Sequence, residues 1–151
     1  YIEKSSNFDI EEKISIYSHL EKQVRETFYD KIDLKIAGYI IGNLDENGFF
    51  SIDTNIACNE LAIDIKRFKS VLKKINFLDP IGIATKDLQE SLLIQLEDKN
   101  KKDSFAYYII KWFYSYLLSN KVIKITKLLK RSKEEQGAFQ EILRKATEFK
   151  F

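Results

Sequence analysis

The residue types that most often carry enzyme chemistry are nearly missing from this chain. It has one histidine, His19, and one cysteine, Cys58, among 151 residues. A Cys-His nucleophilic pair would need both, a Ser-His-Asp triad would need His19, and a zinc site of His and Cys ligands could not be completed within the chain. There is also no glycine-rich phosphate loop. We therefore expect no enzyme activity, no metal, no cofactor and no small-molecule substrate.

A cluster of basic residues near the C-terminus could bind an anionic partner. It is uninterrupted by acidic residues and consists of Lys121, Lys124, Lys127, Lys130, Arg131 and Lys133. Residues 1–60 carry a net charge of −6, from 6 basic and 12 acidic residues, whereas residues 61–151 carry +8, from 19 and 11. Such a basic surface can contact DNA phosphates or an acidic protein. It can equally be a solvated helix face, and both interpretations stay open.

The elements that would position these residues are helices nearly throughout. Only one proline and five glycines interrupt the chain, and apolar residues recur every three or four positions. Asp9 can cap a first helix, Asp53 or Thr54 a short third helix, and Asp64 a longer fourth one. The short helix, its turn and the helix after Asp64 resemble a helix-turn-helix unit, and residues 124–140 repeat that pattern weakly. The sequence predicts an all-α fold of about seven or eight helices.

A polar stretch, EDKNKKDS at residues 97–104, divides the chain into two small helical subdomains. The first is predicted to span 1–98 and the second 103–151, with the breaker at 79–82 as a competing boundary. The chain starts at Tyr1 and contains no methionine, so we expect a piece of a longer protein whose second subdomain is truncated. With no run of about 18 apolar residues, no membrane helix is expected. The single cysteine fits a cytoplasmic location.

Two turn signals separate the helices of the first subdomain. The Asn-Gly pair ending at Gly48 favours a helix end followed by a turn, although such a pair between apolar runs can also form a β-hairpin. Pro80 ends a later helix, because the residue before a proline is pushed out of the helical region. Gly82 then permits a sharp reversal, and Thr85 is expected to cap the next helix.

An aromatic helix capped by Ser104 is predicted after the polar stretch. Its apolar residues at helical spacing are Phe105, Tyr108, Ile109, Trp112, Phe113, Tyr116 and Leu117. We expect them in the core, and a stacking platform for nucleic acid is the less favoured interpretation. Two further helices are predicted, over residues 121–130 and from Ser132. His19 is expected to be a hydrogen-bonded structural residue, and Cys58 a small buried apolar one.

Two segments carry a pattern that goes beyond helical periodicity. Residues 36–50 read IAGYIIGNLDENGFF, and their pattern positions include Asn43, Leu44, Asp45 and Gly48. Residues 79–96 read DPIGIATKDLQESLLIQL, and theirs include Asp79, Pro80, Gly82, Asp87, Leu88, Glu90 and Gln95. In order and spacing both resemble the core-binding region of the RNA polymerase sigma-54 factor family. His19-Leu20 followed by Gln23 also resembles that family's first helix. Thr85-Lys86 stands where the family usually has Ala-Arg.

The resemblance implies a function in transcription. A member of this family would bind core RNA polymerase during initiation at sigma-54-dependent promoters. Promoter DNA would be bound through the full-length protein, and an ATP-driven activator would act on the holoenzyme. The acidic first subdomain would carry much of the polymerase contact, and the pattern residues themselves would be structural. The alternative is a helix-turn-helix DNA-binding domain of a transcription regulator, supported by the unit around Asp64 and by the basic cluster.

Overall fold

The computed structural model describes residues 10–118, which form six α-helices and contain no strand. The helices are α1 (Ile10–Thr27), α2 (Lys31–Gly42), α3 (Thr54–Leu61), α4 (Ile65–Asn76), α5 (Leu88–Asp98) and α6 (Phe105–Leu118). The all-α prediction is confirmed. The helices predicted over 121–130 and from Ser132, and the side chains of Tyr116 and Leu117, lie outside the described residues. In the described part of the chain, no helix is long and apolar enough to cross a membrane.

The described chain divides into two compact units between Asp87 and Leu88. The first contains α1 to α4, and the second contains α5 and α6. Within the second unit, α5 and α6 pack on each other from either side of the polar stretch 97–104. The division therefore falls earlier in the chain than the predicted linker. The subdomain limits 1–98 and 103–151 stay a prediction, because the second of them extends beyond the described residues.

Packing in the first unit centres on α2 and α4. Both α1 and α4 pack against α2, and α3 packs against α4. The inward-facing residues recur every three or four positions, as expected for amphipathic helices. Fully buried members include Leu20, Ile36, Ile40 and Phe68. The ring of Phe68 lies 6.1 Å from that of Phe50, centroid to centroid, so the segment after α2 is part of this core.

Three aspartates begin helices of the first unit. The side chains of Asp30, Asp53 and Asp64 each accept two backbone N–H groups from the first turn of α2, α3 and α4 respectively. These bonds satisfy donors that every helix N-terminus leaves open. The predicted caps Asp53 and Asp64 are confirmed, and Thr54 is instead the first residue of α3. Asp9, the predicted cap of α1, lies outside the described residues.

α3 and α4 form the predicted helix-turn-helix-like unit. Ala62 ends α3 in the left-handed conformation, with a φ of 53°. The next residue, Ile63, donates its N–H to the Cys58 carbonyl oxygen at 3.1 Å, which closes the turn. Cys58 is buried, and this burial raises the pKa of its thiol. The prediction that Cys58 is a small buried residue is thereby confirmed.

The second unit consists of α5 and α6 in the described part of the chain. Ser104 caps α6 as predicted, because its Oγ accepts a backbone N–H of the first turn at 3.1 Å. Ile109 is fully buried, but Tyr108 is 44% exposed and Trp112 is 64% exposed. The prediction that these two aromatic residues lie in the core was wrong. α6 is apolar around most of its circumference, and α5 can cover only one side of it.

Thr85 does not cap α5, contrary to the prediction. α5 begins at Leu88, whereas Thr85 is fully buried and donates from Oγ1 to the Gly82 carbonyl oxygen at 2.9 Å. A capping hydroxyl must accept an N–H from the first turn of its helix. Thr85 lies ahead of that turn and uses its hydroxyl as a donor inside the preceding loop.

Candidate functional site

The two turn segments of the first unit are joined by backbone hydrogen bonds. They are named here the first loop, residues 43–50, and the second loop, residues 77–87. The Phe50 N–H donates to the Thr85 carbonyl oxygen at 2.8 Å, and the Ala84 N–H donates to the Gly48 carbonyl oxygen at 2.9 Å. Neither loop contains a strand. The first loop is therefore a turn after a helix end, as the sequence favoured, and not a β-hairpin.

Asp45 organises the first loop. Its Oδ1 accepts the N–H groups of Asn47 and Phe49 at 2.8 and 2.9 Å. Gly48 is buried with a φ of 83°, in the left-handed region that favours glycine, and its N–H donates to the Asp45 carbonyl oxygen at 3.1 Å. Asn43 donates from Nδ2 to a carbonyl oxygen in the last turns of α2 at 2.8 Å. These pattern residues hold the shape of the loop.

α1 holds the start of the second loop through two side chains. Gln23 bonds twice to the backbone of Asp79, with Nε2 donating to its carbonyl oxygen at 2.7 Å and Oε1 accepting its N–H at 2.9 Å. His19 donates from Nε2 to Oδ2 of the same aspartate at 2.8 Å. The Asp79-Pro80 peptide bond is cis. His19 thus has the structural, hydrogen-bonded position that the sequence predicts.

α4 holds the middle of the second loop from the other side. Asn76 is buried, and its Nδ2 donates to the Ile83 carbonyl oxygen at 2.8 Å. The Asn76 carbonyl oxygen accepts the N–H of Gly82 at 2.8 Å, and Gly82 has a φ of 91°. Among the described residues, no buried side-chain nitrogen or oxygen lacks a hydrogen-bond partner. The second loop is therefore fixed by side chains from both α1 and α4.

The first loop, α1 and the end of α2 enclose an open groove of about 530 Å³. Its apolar lining consists of Ile16, Tyr17, Leu20, Ile41, Leu44 and Ile83. Asp45 and Glu46 add two exposed carboxylates to the lining, and none of the described residues that line the groove is basic. Tyr17 is 41% exposed. Its hydroxyl packs closely over Gly42, so that a Cβ added to this glycine would lie 3.3 Å from the Tyr17 oxygen. Such a surface can accept an apolar side chain that is flanked by positive charge.

The residues predicted as site residues fall in three places. The two loops contain Asn43, Leu44, Asp45, Gly48, Asp79, Pro80, Gly82 and Asp87. α5 contains Leu88, Glu90 and Gln95, of which Gln95 donates from Nε2 to Oγ of Ser91 at 3.3 Å. The basic cluster from Lys121 to Lys133 lies outside the described residues. Over residues 10–118, no group of three or more His, Cys, Asp or Glu side chains could hold a metal ion.

A comparison with known protein families decides to which class this arrangement belongs. The sequence pattern of the family described as "Sigma-54 factor, core binding domain" matches residues 6–148. The chain belongs to this sigma-54 core-binding domain family. The resemblance predicted from the two loop segments is therefore confirmed, and both loops lie inside the matched range.

Individual relatives agree with this assignment to the sigma-54 family. The RNA polymerase sigma-54 factor of Shewanella violacea is 42% identical over 92 residues, which cover 59% of this chain and 19% of the relative. That of Escherichia coli is 36% identical over 90 residues, covering 58% and 19%. That of Bacillus subtilis is 35% identical over 78 residues, covering 52% and 18%. The aligned part thus spans less than a fifth of the length of each relative.

Two features of the sigma-54 domain were missed from sequence. The role of Asn76 was not predicted, since it depends on a loop that folds back onto this residue. A basic face on α4, with Lys66, Lys69 and Lys73, was also overlooked. Its signal was present in the sequence, because these lysines are spaced by three and four positions in a helix without an acidic residue.

Proposed function

We propose that this chain binds core RNA polymerase as the core-binding part of a sigma-54 factor, in transcription initiation at sigma-54-dependent promoters. Membership of the sigma-54 core-binding domain family over residues 6–148 supports the proposal. The main structural support for polymerase binding is the apolar groove lined by the first loop, because this groove offers a shaped surface for a protein partner. Three of the loop residues on which the resemblance rests, Leu44, Asp45 and Gly48, lie in its wall.

The groove would bind polymerase by burying apolar surface and matching charge at its edge. Tyr17 and Leu44 are partly exposed, so a partner side chain entering the groove would remove apolar area from water, at about 25 cal/mol per Å². The Asp45 carboxylate already accepts two N–H groups of its own loop. Glu46 is therefore the better candidate for pairing with a lysine or arginine of the polymerase.

Affinity measurements on the full chain and purified core polymerase test this proposal. Tyr17→Ala removes an exposed aromatic ring from the groove and should weaken the affinity about tenfold or more. Glu46→Lys should weaken it about fivefold, which corresponds to about 1 kcal/mol for an ion pair at an interface edge. Glu26→Lys makes the same charge change on an exposed residue of α1 that does not line the groove. This control should bind like the unaltered chain.

Two results would count against the proposal. If the unaltered chain does not bind core polymerase at micromolar concentration, polymerase binding by this domain is wrong. If Glu26→Lys weakens binding as much as Glu46→Lys, the effect is one of net charge and the groove is not the contact.

The remaining parts of the proposed function concern the protein to which this domain belongs. The domain carries out no reaction and needs no cofactor, the full-length protein binds promoter DNA, and an ATP-driven activator acts on the holoenzyme. The protein works in the cytoplasm, where its polymerase is. The basic cluster Lys121–Lys133 meets DNA or a second polymerase surface. These proposals are supported by family membership and by the split of charge along the chain.

The alternative, a helix-turn-helix DNA-binding domain of a transcription regulator, is not favoured. The α3–α4 unit has the required order of helix, turn and helix. However, the family match over residues 6–148 and the named relatives are of sigma-54 factors.

A further inference from the structure

α4 has the most uneven charge of the described helices. Its twelve residues, IKRFKSVLKKIN, include five basic residues and no acidic one. Lys66, Lys69, Ser70 and Lys73 are exposed, and helical spacing places them on one face, opposite the buried Phe68. The lysines at the two ends of this face are about 10 Å apart along the helix axis. We name this surface the α4 face.

The basic residues of α4 differ in their partners within the domain. Arg67 pairs with Asp30 at 2.7 Å and with Asp33 at 2.8 Å, which ties α4 to the start of α2. Lys66 and Lys69 form no ion pair with any residue from 10 to 118. Neighbouring like charges on a helix repel one another and lower its stability. An anionic partner bound against these lysines would offset this repulsion.

The position of α4 in its unit favours nucleic acid as that partner. α4 is the second helix of the helix-turn-helix-like unit, after the left-handed turn residue Ala62 and the cap Asp64. In units of this kind the second helix can be presented to a DNA duplex. A row of lysines spaced along such a helix can contact successive phosphates.

The same helix is poorly equipped to read bases. Arginine and asparagine are the side chains that most often recognise guanine and adenine. α4 has one of each, and both are engaged within the domain: Arg67 in its two ion pairs and Asn76 in its bond to the second loop. Its exposed face thus presents ammonium groups and one hydroxyl, which suit phosphates of any sequence.

We propose that the α4 face contacts the phosphate backbone of duplex DNA, independently of base sequence. This rests on the proposed function, since binding to polymerase through the groove would supply most of the affinity and keep α4 close to the template. The α4 face would add a salt-dependent contact that leaves promoter choice to other parts of the protein.

Salt-dependent binding of the full chain to a labelled 30-base-pair duplex of arbitrary sequence tests this inference. The triple variant Lys66→Gln, Lys69→Gln and Lys73→Gln should reduce the slope of log affinity against log salt by about 3, close to one for each phosphate contact. The matched control is Lys22→Gln, Lys31→Gln and Lys35→Gln, which removes three exposed lysines from α1 and α2. The control should change the slope by less than about 1.

Binding to core polymerase is measured in parallel for each variant, and helix content is checked by circular dichroism. We expect the α4 variant to bind polymerase unchanged in the absence of DNA, which would support the inference. An unchanged salt slope in the α4 variant would overturn it. Equal slope changes in both triple variants would also overturn it, since only net charge would then matter. Loss of polymerase binding with an unchanged DNA slope would show that the α4 face meets an acidic protein surface instead. Failure of the unaltered chain to bind polymerase would refute the proposed function, while the two DNA slopes would still decide this inference.

Discussion

The groove and the α4 face belong to the same unit, yet they are built in opposite ways. The groove depends on residues far apart in sequence, such as Gln23, which bonds to Asp79 56 positions later and so helps to fix the second loop. The α4 face depends on one helix and its local spacing. One surface is apolar with carboxylates at its edge, and the other is a row of lysines. A surface made by tertiary structure should be sensitive to packing, whereas a surface made by charge should be sensitive to salt.

The largest effect should come from Phe68, which joins the helix of the α4 face to the first loop. It is fully buried in α4, and its ring packs against Phe50 of the first loop. Phe68→Ala should lower the free energy of unfolding by about 3–5 kcal/mol, because a cavity replaces a buried ring. Urea denaturation of the full chain measures this. Phe68→Leu, which keeps most of the volume, should cost far less. A loss below about 1 kcal/mol for Phe68→Ala would show that α4 and the first loop do not share a core.

A smaller effect that separates the two surfaces is expected at Gln23. Gln23→Leu removes both bonds to the Asp79 backbone and should lower the free energy of unfolding by about 1–2 kcal/mol. Because the second loop contributes Ile83 to the groove, polymerase affinity should fall as well. The salt slope of DNA binding should not change. A changed DNA slope with normal polymerase affinity would contradict the division into two surfaces. Gln23→Glu keeps the acceptor and loses the donor, so its free energy of unfolding should lie between those of the unaltered chain and Gln23→Leu.

Neighbouring basic residues of α4 should differ in their effect on stability. Arg67→Ala breaks two ion pairs to α2 and should lower the free energy of unfolding by about 1 kcal/mol, since the guanidinium is partly exposed. Lys66→Ala should stay within about 0.5 kcal/mol of the unaltered chain. Thermal denaturation of the two variants side by side checks this. Equal losses would mean that Lys66 also holds the fold, which would weaken the case for a partner.

The smallest effect should be a dependence on pH that originates at Asp30. The hydrogen bond from the Ile32 N–H is the main reason why the pKa of Asp30 is held below its ordinary value of 3.8, and Arg67 lowers it further. A carboxylate whose pKa is lowered by folding stabilises the protein above its ordinary pKa. That stability is lost as the pH falls through the lowered value.

Asp30→Asn isolates this contribution, because asparagine is also a good cap and cannot titrate. Between pH 5 and about 2, the melting temperature of the variant should fall less steeply than that of the unaltered chain. Parallel curves would show that Asp30 does not contribute to acid denaturation.

Sequence patterns predicted what depends on neighbours in the chain and missed what depends on distant ones. The caps Asp53, Asp64 and Ser104 could be predicted because a cap bonds to N–H groups two or three residues ahead. Thr85 was misassigned because its partner is a carbonyl inside a loop whose path the sequence does not reveal. Exposure of Trp112 was missed because an apolar helix face does not show how many neighbours cover it.

The candidate site shows the same limit. The resemblance located both loops, since it relies on residue order alone, and the structural role of the pattern residues stays a prediction. The groove between Tyr17 and Leu44 could not be predicted, because it requires α1 and the first loop to meet in space.

Site-specific photo-crosslinking in the complex of this chain with core polymerase and duplex DNA can show in one experiment whether the groove meets polymerase and the α4 face meets DNA. A photo-crosslinking amino acid is placed at position Tyr17 in the groove, at Lys69 on the α4 face, or at Glu26 as a control. We predict polymerase adducts from position 17, DNA adducts from position 69, and few adducts from position 26. Polymerase adducts that form at position 26 and not at position 17 would contradict it.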